Sequence, residues 1–207
     1  MGSEMCIRDR NTANPEVQAY IYNVMVFWLN EYHIDGWRLD VADEIDPSLW
    51  TRIRYRIKSA YPDCLLLGET WGDGFSLLDE KSVDSIMNYV FRDSVRDFLA
   101  RGSIDAKMFN HRICQMRSHY PEEIRQALFQ PLDSHDTERF LWNCSGDIRR
   151  LKLAALFQMC FPGAPSIYYG DEIGLNGDND PDCRRCMEWN PAKQNEDCLL
   201  YTSDAAD

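Results

Sequence analysis

Two observations on the sequence predict an α/β protein built on parallel strands. Helix-like and strand-like segments alternate strictly along the chain, and five of them have the character of strands. Strict alternation is typical of parallel strands joined by crossover helices. Acidic residues also cluster just after strand ends, where a parallel barrel carries its site. A doubly wound sheet fits the same order, but no glycine-rich phosphate-binding loop follows any strand, which disfavours a nucleotide-binding function.

The helices are predicted from their start signals and from apolar residues at helical spacing. Asn14, Pro15 and Glu16 form the first start signal, with an N-cap, a first-turn proline and an acid. Pro47 and Ser48 open a second helix. Three more helices are predicted over residues 92–100, 105–119 and 148–161.

The strands are predicted from short apolar runs. Cys64–Leu67 is a continuous apolar run, typical of a strand that is buried on both faces. The segment from Ile34 to Val41 is a strand interrupted by charge. The other three strands are predicted over residues 85–89, where the signal is weaker, 127–132 and 165–169.

Composition excludes several classes of partner. The 207 residues include 22 Lys or Arg and 34 Asp or Glu, which gives a net charge of −12. Such an acidic chain is unsuited to binding nucleic acid or an anionic membrane surface. No apolar run approaches the roughly 20 residues of a membrane-spanning helix. We therefore expect neither nucleic acid nor membrane as a partner.

The eight cysteines do not form the dense pattern of a small disulfide scaffold. Cys183 and Cys186 make one CxxC pair, but a structural zinc site usually needs a second pair or histidines nearby. We expect reduced thiols in a cytoplasmic protein, with no metal and no cofactor.

Arg38 and Asp40 stand two residues apart at the end of a predicted strand, so their side chains share one face. A guanidinium beside a carboxylate favours its ionised form and lowers its pKa. This environment suits a nucleophilic carboxylate. A structural ion pair at a strand end is the alternative interpretation.

Glu69 follows an apolar strand, and Trp71 comes two residues later. A carboxylic acid among apolar and aromatic groups has a raised pKa, which suits a general acid. An ordinary surface glutamate at a strand end is the alternative.

His135 and Asp136 follow a further strand end. They could ligate a metal, but no other histidine has ligand-like spacing to them, so a metal site is disfavoured. Three carboxylates, each at the end of a different strand, are therefore expected to meet at one end of the predicted barrel. Two suffice for glycoside hydrolysis, as nucleophile and acid/base, and the third can stabilise a charged transition state.

Five segments resemble conserved regions of the alpha-amylase superfamily, glycoside hydrolase family 13. GWRLDVADE (36–44) is similar to its nucleophile region, LLLGETWGD (65–73) to its acid/base region, and PLDSHDTER (131–139) to the region of its third carboxylate. PGAPSIYYGDEIG (162–174) resembles its eighth strand and NDPDCRRCMEWN (179–190) the loop after it. The resemblance runs from about Asn11 to Asn190.

The resemblance implies a role for each matching residue. Asp40 becomes the nucleophile, Glu69 the acid/base and Asp136 the transition-state stabiliser in a retaining cleavage of alpha-glucosidic bonds. The implied substrate-binding residues, which surround these three, are Arg38, Glu44, Trp71, His135, Asp180 and Arg184. The implied substrate is an alpha-glucan, a maltodextrin or a cyclodextrin.

Within the superfamily, Trp37, Glu44 and the DPDCRR string resemble the neopullulanase, cyclomaltodextrinase and maltogenic amylase group. That group usually has Asn where Asp43 stands, which leaves the balance of hydrolysis and transfer open. Many calcium-dependent members have a histidine where Glu44 stands, so that calcium site is expected to be absent. The resemblance also implies that the intact parent protein is a homodimer.

No segment matches the superfamily's third-strand motif, Asp-x-x-x-Asn-His. The five strands therefore correspond to strands four to eight of a TIM (β/α)8 barrel, a partial barrel over residues 11–190 that we expect to be inactive alone. The segments MCIRDR (5–10) and CLLYTSDAAD (198–207) resemble translated sequencing-adapter sequence. We expect residues 1–10 and the end of the 191–207 segment to be non-native or disordered, and natural flexible termini are the alternative.

Three other functions remain open. The chain could come from an oligo-alpha-glucosidase or a transglycosylase of the same superfamily. It could be a non-catalytic amylase-like subunit of a transporter, although such subunits have typically lost the carboxylates. It could also be a fragment with no function of its own.

Overall fold

The computed structural model describes residues 11–79, 82–195 and 198. The predictions for residues 1–10 and for most of 198–207 lie outside the described residues. The chain divides into two compact units, Met1–Met87 and Asn88–Asp207. Each unit is described by itself.

The first unit contains two long helices whose starts follow from their caps. Helix α1 covers Pro15–Tyr32, and the Asn14 side chain accepts a hydrogen bond from the Glu16 amide at 2.8 Å. Helix α2 covers Pro47–Ala60, and Asp46 caps it in the same way. Its buried residues recur every three or four positions, as expected of one apolar face: Leu49, Trp50, Ile53 and Ile57.

Three parallel strands form the sheet of this unit. They are β1 (Gly36–Leu39), β2 (Leu65–Gly68) and β3 (Ser85–Ile86), in that spatial order. Gly36 lies opposite Leu65, and a Cβ atom on Gly36 would lie only 2.5 Å from the Leu65 carbonyl oxygen. Only glycine therefore fits this strand pairing without a shift of the backbone. A short helix, α3 (Phe75–Asp79), lies between β2 and β3.

The second unit contains five helices in its described part, and a parallel strand pair. The helices are α4 (Tyr89–Val95), which continues as a π-helical turn over Arg96–Ala100, α5 (Ala106–His119), α6 (Glu122–Ala127), α7 (Phe140–Asn143) and α8 (Ile148–Cys160). Strands β4 (Phe129–Pro131) and β5 (Ala164–Ser166) pair in parallel. Aromatic rings of α4, α5 and α8 pack together in the core.

The structure confirms strand pairs that are parallel and strands at all five predicted places. Four of the strands are shorter than predicted, and β2 has the predicted length but begins one residue later. The segment predicted as a strand over 85–89 ends at Ile86, because Asn88 caps a helix that begins at Tyr89. Its side chain accepts a hydrogen bond from the Phe91 amide at 3.0 Å. The sequence does not predict α3, α6 and α7, since helices of four to six residues carry too little periodicity.

Beyond the core, a 3-10 turn covers Pro191–Lys193, and the Asn195 amide donates to the Ile173 carbonyl at 3.0 Å. Cys198 is buried. The division of the chain into domains and end segments stays a prediction. No helix within the described residues combines the length and the apolar character needed to cross a membrane.

Candidate active site

The predicted pairing of Arg38 with Asp40 is present at the carboxyl end of β1. An Nη1 hydrogen of Arg38 is donated to Asp40 Oδ1 over 2.5 Å. Asp40 is half exposed, whereas Arg38 is largely covered. Successive side chains of a strand point to opposite faces, so the side chains of Arg38 and Asp40, two residues apart, share one face, as the sequence predicts. Asp40 therefore presents an accessible carboxylate whose orientation is fixed by a guanidinium.

Glu69 stands at the end of the neighbouring strand β2 and is buried, with a side-chain exposure of 3%. The Nη2 atom of Arg38 lies 2.6 Å from Glu69 Oε1, and the Val41 amide donates to Oε2 over 2.8 Å. The sequence predicts apolar and aromatic surroundings for Glu69. The structure instead places a guanidinium and one donating amide against its carboxylate. Trp71, its expected aromatic neighbour, is half exposed.

Val41 has an unusual backbone conformation directly after Asp40. Its φ of 45° and ψ of 47° are left-handed, which is rare for a β-branched residue and costs on the order of 1–3 kcal/mol. The conformation turns the Val41 amide towards Glu69, and the next amide, of Ala42, donates to the Glu69 carbonyl at 2.9 Å. The strained turn therefore links the two strand ends that carry Asp40 and Glu69.

A cavity of about 470 Å³ opens beside Asp40 in the first unit. Arg38 and Glu44 line it together with apolar residues of α1 and β1. Asp43 faces away towards the loop after β2, where it accepts a hydrogen bond from Thr70 Oγ1 over 2.5 Å. Glu44 thus lines the same cavity as Asp40, and its role in substrate binding stays a prediction.

The second unit brings together four more of the predicted residues. Arg184 Nε donates to the His135 carbonyl over 2.8 Å, and its Nη2 donates to Asp136 Oδ1 over 3.1 Å. Arg184 also forms an ion pair with Asp180 at 3.2 Å, and His135 Nε2 lies 3.0 Å from Asp136 Oδ2. Asp136 is thus oriented from two sides. The loop after β4 and the 3-10 turn Asp182–Arg184 supply these groups.

Two features escaped the sequence analysis. The left-handed Val41 carries no signal, because valine is disfavoured in that conformation. Arg139, fully buried beneath the loop after β4, bonds to partners 30 and 44 residues away, and such long-range pairs are not visible in local patterns. Within the described residues, no three His, Cys, Asp or Glu side chains converge as metal ligands would.

Comparisons with known proteins identify the family of this chain. Residues 4–204 match the family described as the alpha amylase catalytic domain. The chain is 46% identical to a cyclomaltodextrinase of Geobacillus thermopakistaniensis over 187 residues, which are 90% of this chain and 32% of that protein. It is 50% identical to neopullulanase 2 of Thermoactinomyces vulgaris over 184 residues, which are 89% of this chain and 31% of that protein.

Solved structures give the same result. A cyclomaltodextrinase aligns with a TM-score of 0.89 and 42% identity, over 92% of this chain and 33% of that one. A cyclic alpha-maltosyl-(1→6)-maltose hydrolase of Arthrobacter globiformis aligns with a TM-score of 0.91 and 36% identity, over 95% of this chain and 44% of that one.

The chain belongs to the alpha-amylase catalytic-domain family, whose fold is the TIM barrel. It spans about a third of the length of the curated relatives it matches.

Proposed function

We propose that this chain is part of a glycoside hydrolase that cleaves alpha-glucosidic bonds of maltodextrins or cyclodextrins with retention of configuration. The observation that carries the proposal is the contact of one guanidinium, of Arg38, with both Asp40 and Glu69. Carboxylates bound to the two terminal nitrogens of one side chain stand close together. Retaining enzymes need a separation of about 5–5.5 Å between their two carboxyl groups, whereas inverting enzymes need more.

In the first step Glu69, in its acid form, gives a proton to the glycosidic oxygen. An oxygen of Asp40 attacks the anomeric carbon, the bond to the leaving sugar breaks, and a covalent glycosyl-enzyme forms. Arg38 holds the attacking carboxylate of Asp40 in place by its hydrogen bond to Oδ1. The exposure of Asp40 to the cavity leaves room for the sugar.

In the second step the Glu69 carboxylate takes a proton from water, and the resulting hydroxide displaces Asp40 from the anomeric carbon. The donors that face Glu69 suit this acceptor role. We assign Asp136 the stabilisation of the positive charge that develops on the sugar, and we assign Asp180 and Arg184 the glycone side of the substrate. The contacts of Arg184 with Asp136 and Asp180 support this assignment.

The substrate class rests on the relatives. Their names include cyclomaltodextrinase, neopullulanase and maltogenic alpha-amylase, at 42–50% identity. We propose an alpha-glucan substrate of the same class for the enzyme that contains this chain. An intracellular maltogenic amylase of Bacillus subtilis, 40% identical over 191 residues, supports a cytoplasmic location. That the intact enzyme is a homodimer stays a prediction.

We also propose that β1 to β5 are strands four to eight of the barrel and that the 207-residue chain alone is inactive. The parallel pairing of the strands supports this order. A catalytic group must be held within about 0.5 Å of its productive position by the residues around it. A chain that spans a third of its relatives lacks much of that support.

The test uses a complete catalytic barrel in which residues 11–195 replace the matching stretch of the Geobacillus cyclomaltodextrinase. We expect Asp40→Asn to abolish turnover, because no glycosyl-enzyme can form. Glu69→Gln should spare the first step for α-maltosyl fluoride, since fluoride leaves without a proton. Asp63→Asn, at an exposed position, is the matched control. Activity that survives Asp40→Asn, or products that first appear as the inverted anomer by NMR, would overturn the proposal.

A further inference from the structure

Arg139 is the largest fully buried side chain of the second unit, and its guanidinium joins separate segments. Its Nε donates to the Cys183 carbonyl over 3.0 Å. Its Nη1 donates to the Tyr169 carbonyl and to Asp171 Oδ1, the latter over 3.2 Å. One side chain thus ties the loop after β4, the loop after β5 and the 3-10 turn at Asp182–Arg184.

The position of this guanidinium is fixed from several directions. Its central carbon lies 4.0 Å from the centre of the Tyr168 ring and 4.7 Å from that of Tyr169. The Arg139 amide donates to the Gly177 carbonyl over 3.0 Å. Stacking on aromatic faces and forked donation are properties that a lysine would not reproduce.

The anionic side of this cluster is a pair of neighbouring carboxyl groups, Asp133 and Asp171. Asp133 Oδ2 accepts a hydrogen bond from the Phe140 amide over 2.6 Å. Burial raises the pKa of both carboxyl groups, and the charge of Asp133 further raises the pKa of Asp171. Arg139 is the positive charge that faces this pair, through its ion pair with Asp171 at 3.2 Å.

The contacts continue from Arg139 to the predicted transition-state stabiliser. Arg139 holds the carbonyl of Cys183, whose neighbour Arg184 binds both Asp136 and the His135 carbonyl. The Cys183 thiol donates to the same His135 carbonyl over 3.4 Å. Arg139 itself is buried and reaches no substrate.

We infer that Arg139 is a positioning residue for the proposed reaction: by fixing Cys183 it holds Arg184 against Asp136 and so sets the orientation of that carboxylate. The inference rests on the proposed function. A misplacement of about 1 Å at a catalytic group can cost roughly 10²-fold in rate, so the contact is expected to matter although it is remote from the sugar.

The experiment compares Arg139→Lys and Arg139→Met in the complete barrel described above, each with and without Asp136→Asn. Lysine keeps the charge opposite Asp133 and Asp171 but cannot donate to all the partners of the arginine fork. The control is Arg149→Met, at a side chain that is 87% exposed. The readouts are kcat and KM for fluoride release from α-maltosyl fluoride, and the melting temperature.

We expect Arg139→Lys to lower kcat about 10²-fold with a melting temperature near that of the parent. In the Asp136→Asn background the same change should lower kcat less than threefold, because the carboxylate that Arg139 orients is already absent. Such coupling is not expected of a residue that only stabilises the fold. Arg139→Met measures the same coupling a second time. If the Arg139→Met variant does not fold, the result for Arg139→Lys alone tests the inference.

A kcat loss of equal size in both backgrounds would overturn the inference, as would unchanged kcat combined with a lowered melting temperature. Failure of Arg139→Lys to fold would likewise assign the residue a structural role and overturn it. These results leave the proposed function standing. If the unsubstituted barrel releases no fluoride, or if Asp40→Asn retains activity, the proposed function fails and the inference falls with it.

Discussion

Replacing Arg38 by methionine removes a positive charge that contacts both Asp40 and Glu69. Methionine keeps an unbranched apolar stem of similar length, so the change deletes the guanidinium rather than the packing. In the complete barrel carrying this segment, we expect both carboxylates to lose their fixed orientation.

The structure sets the size of the effect. Glu69 is 3% exposed, and removing one partner of a buried ion pair costs about 3–5 kcal/mol. The lower end applies, because the Val41 amide still donates to Glu69. Asp40 is 54% exposed, so solvent screening limits its share to at most about 1 kcal/mol. At about 1.4 kcal/mol for each tenfold change, kcat/KM falls at most roughly 10²- to 10³-fold, the case in which the whole 3–4 kcal/mol is lost from the transition state.

The assay measures kcat/KM on a cyclomaltodextrin for Arg38→Met and Arg38→Lys, with the melting temperature as a check of folding. Arg38→Lys keeps a charge but not the two separate donor nitrogens, so its loss should be smaller than that of Arg38→Met. Arg52→Met, at an exposed position of α2, is the control and should stay within twofold. A folded Arg38→Met variant within tenfold of the parent would refute the reasoning.

Two further predictions concern stability in the same barrel. Gly36→Ala should destabilise the fold by about 1–3 kcal/mol in urea unfolding, because its Cβ would lie 2.5 Å from the Leu65 carbonyl oxygen. The control, Gly72→Ala, should change the free energy of unfolding by less than about 0.5 kcal/mol. Equal effects of the two substitutions would contradict the steric reason. Asp171→Asn should change how the free energy of unfolding depends on pH. The pKa values of Asp171 and Asp133 are raised in the folded state, so above about pH 4 the folded state binds more protons than the unfolded state. The stabilisation that comes from this proton binding is present at low pH and is lost as the pH rises through the folded-state pKa values. The Asn variant should therefore gain stability relative to the parent between pH 4 and pH 7, by up to about 1.4 kcal/mol per pH unit, and urea midpoints that keep a constant difference would contradict this.

The sequence predicts the parallel strands well because β2 is a continuous apolar run that cannot be mistaken for a turn. It also predicts the contact of Arg38 with Asp40, since residues two apart on a strand share a face. It does not predict that Arg38 also reaches Glu69, because that contact depends on the register of β1 against β2. The links made by Arg139 are missed for the same reason, as they join segments far apart in the chain.

The left-handed backbone at Val41 has a consequence for how this strand end can change over generations of selection. A glycine there would relieve local strain and so would be favoured for stability alone. It would also let the turn adopt other conformations, in which the amide no longer faces Glu69. Stability and activity therefore make opposite demands on one backbone position, and a screen for thermal robustness is expected to enrich substitutions at Val41 that a screen for turnover removes.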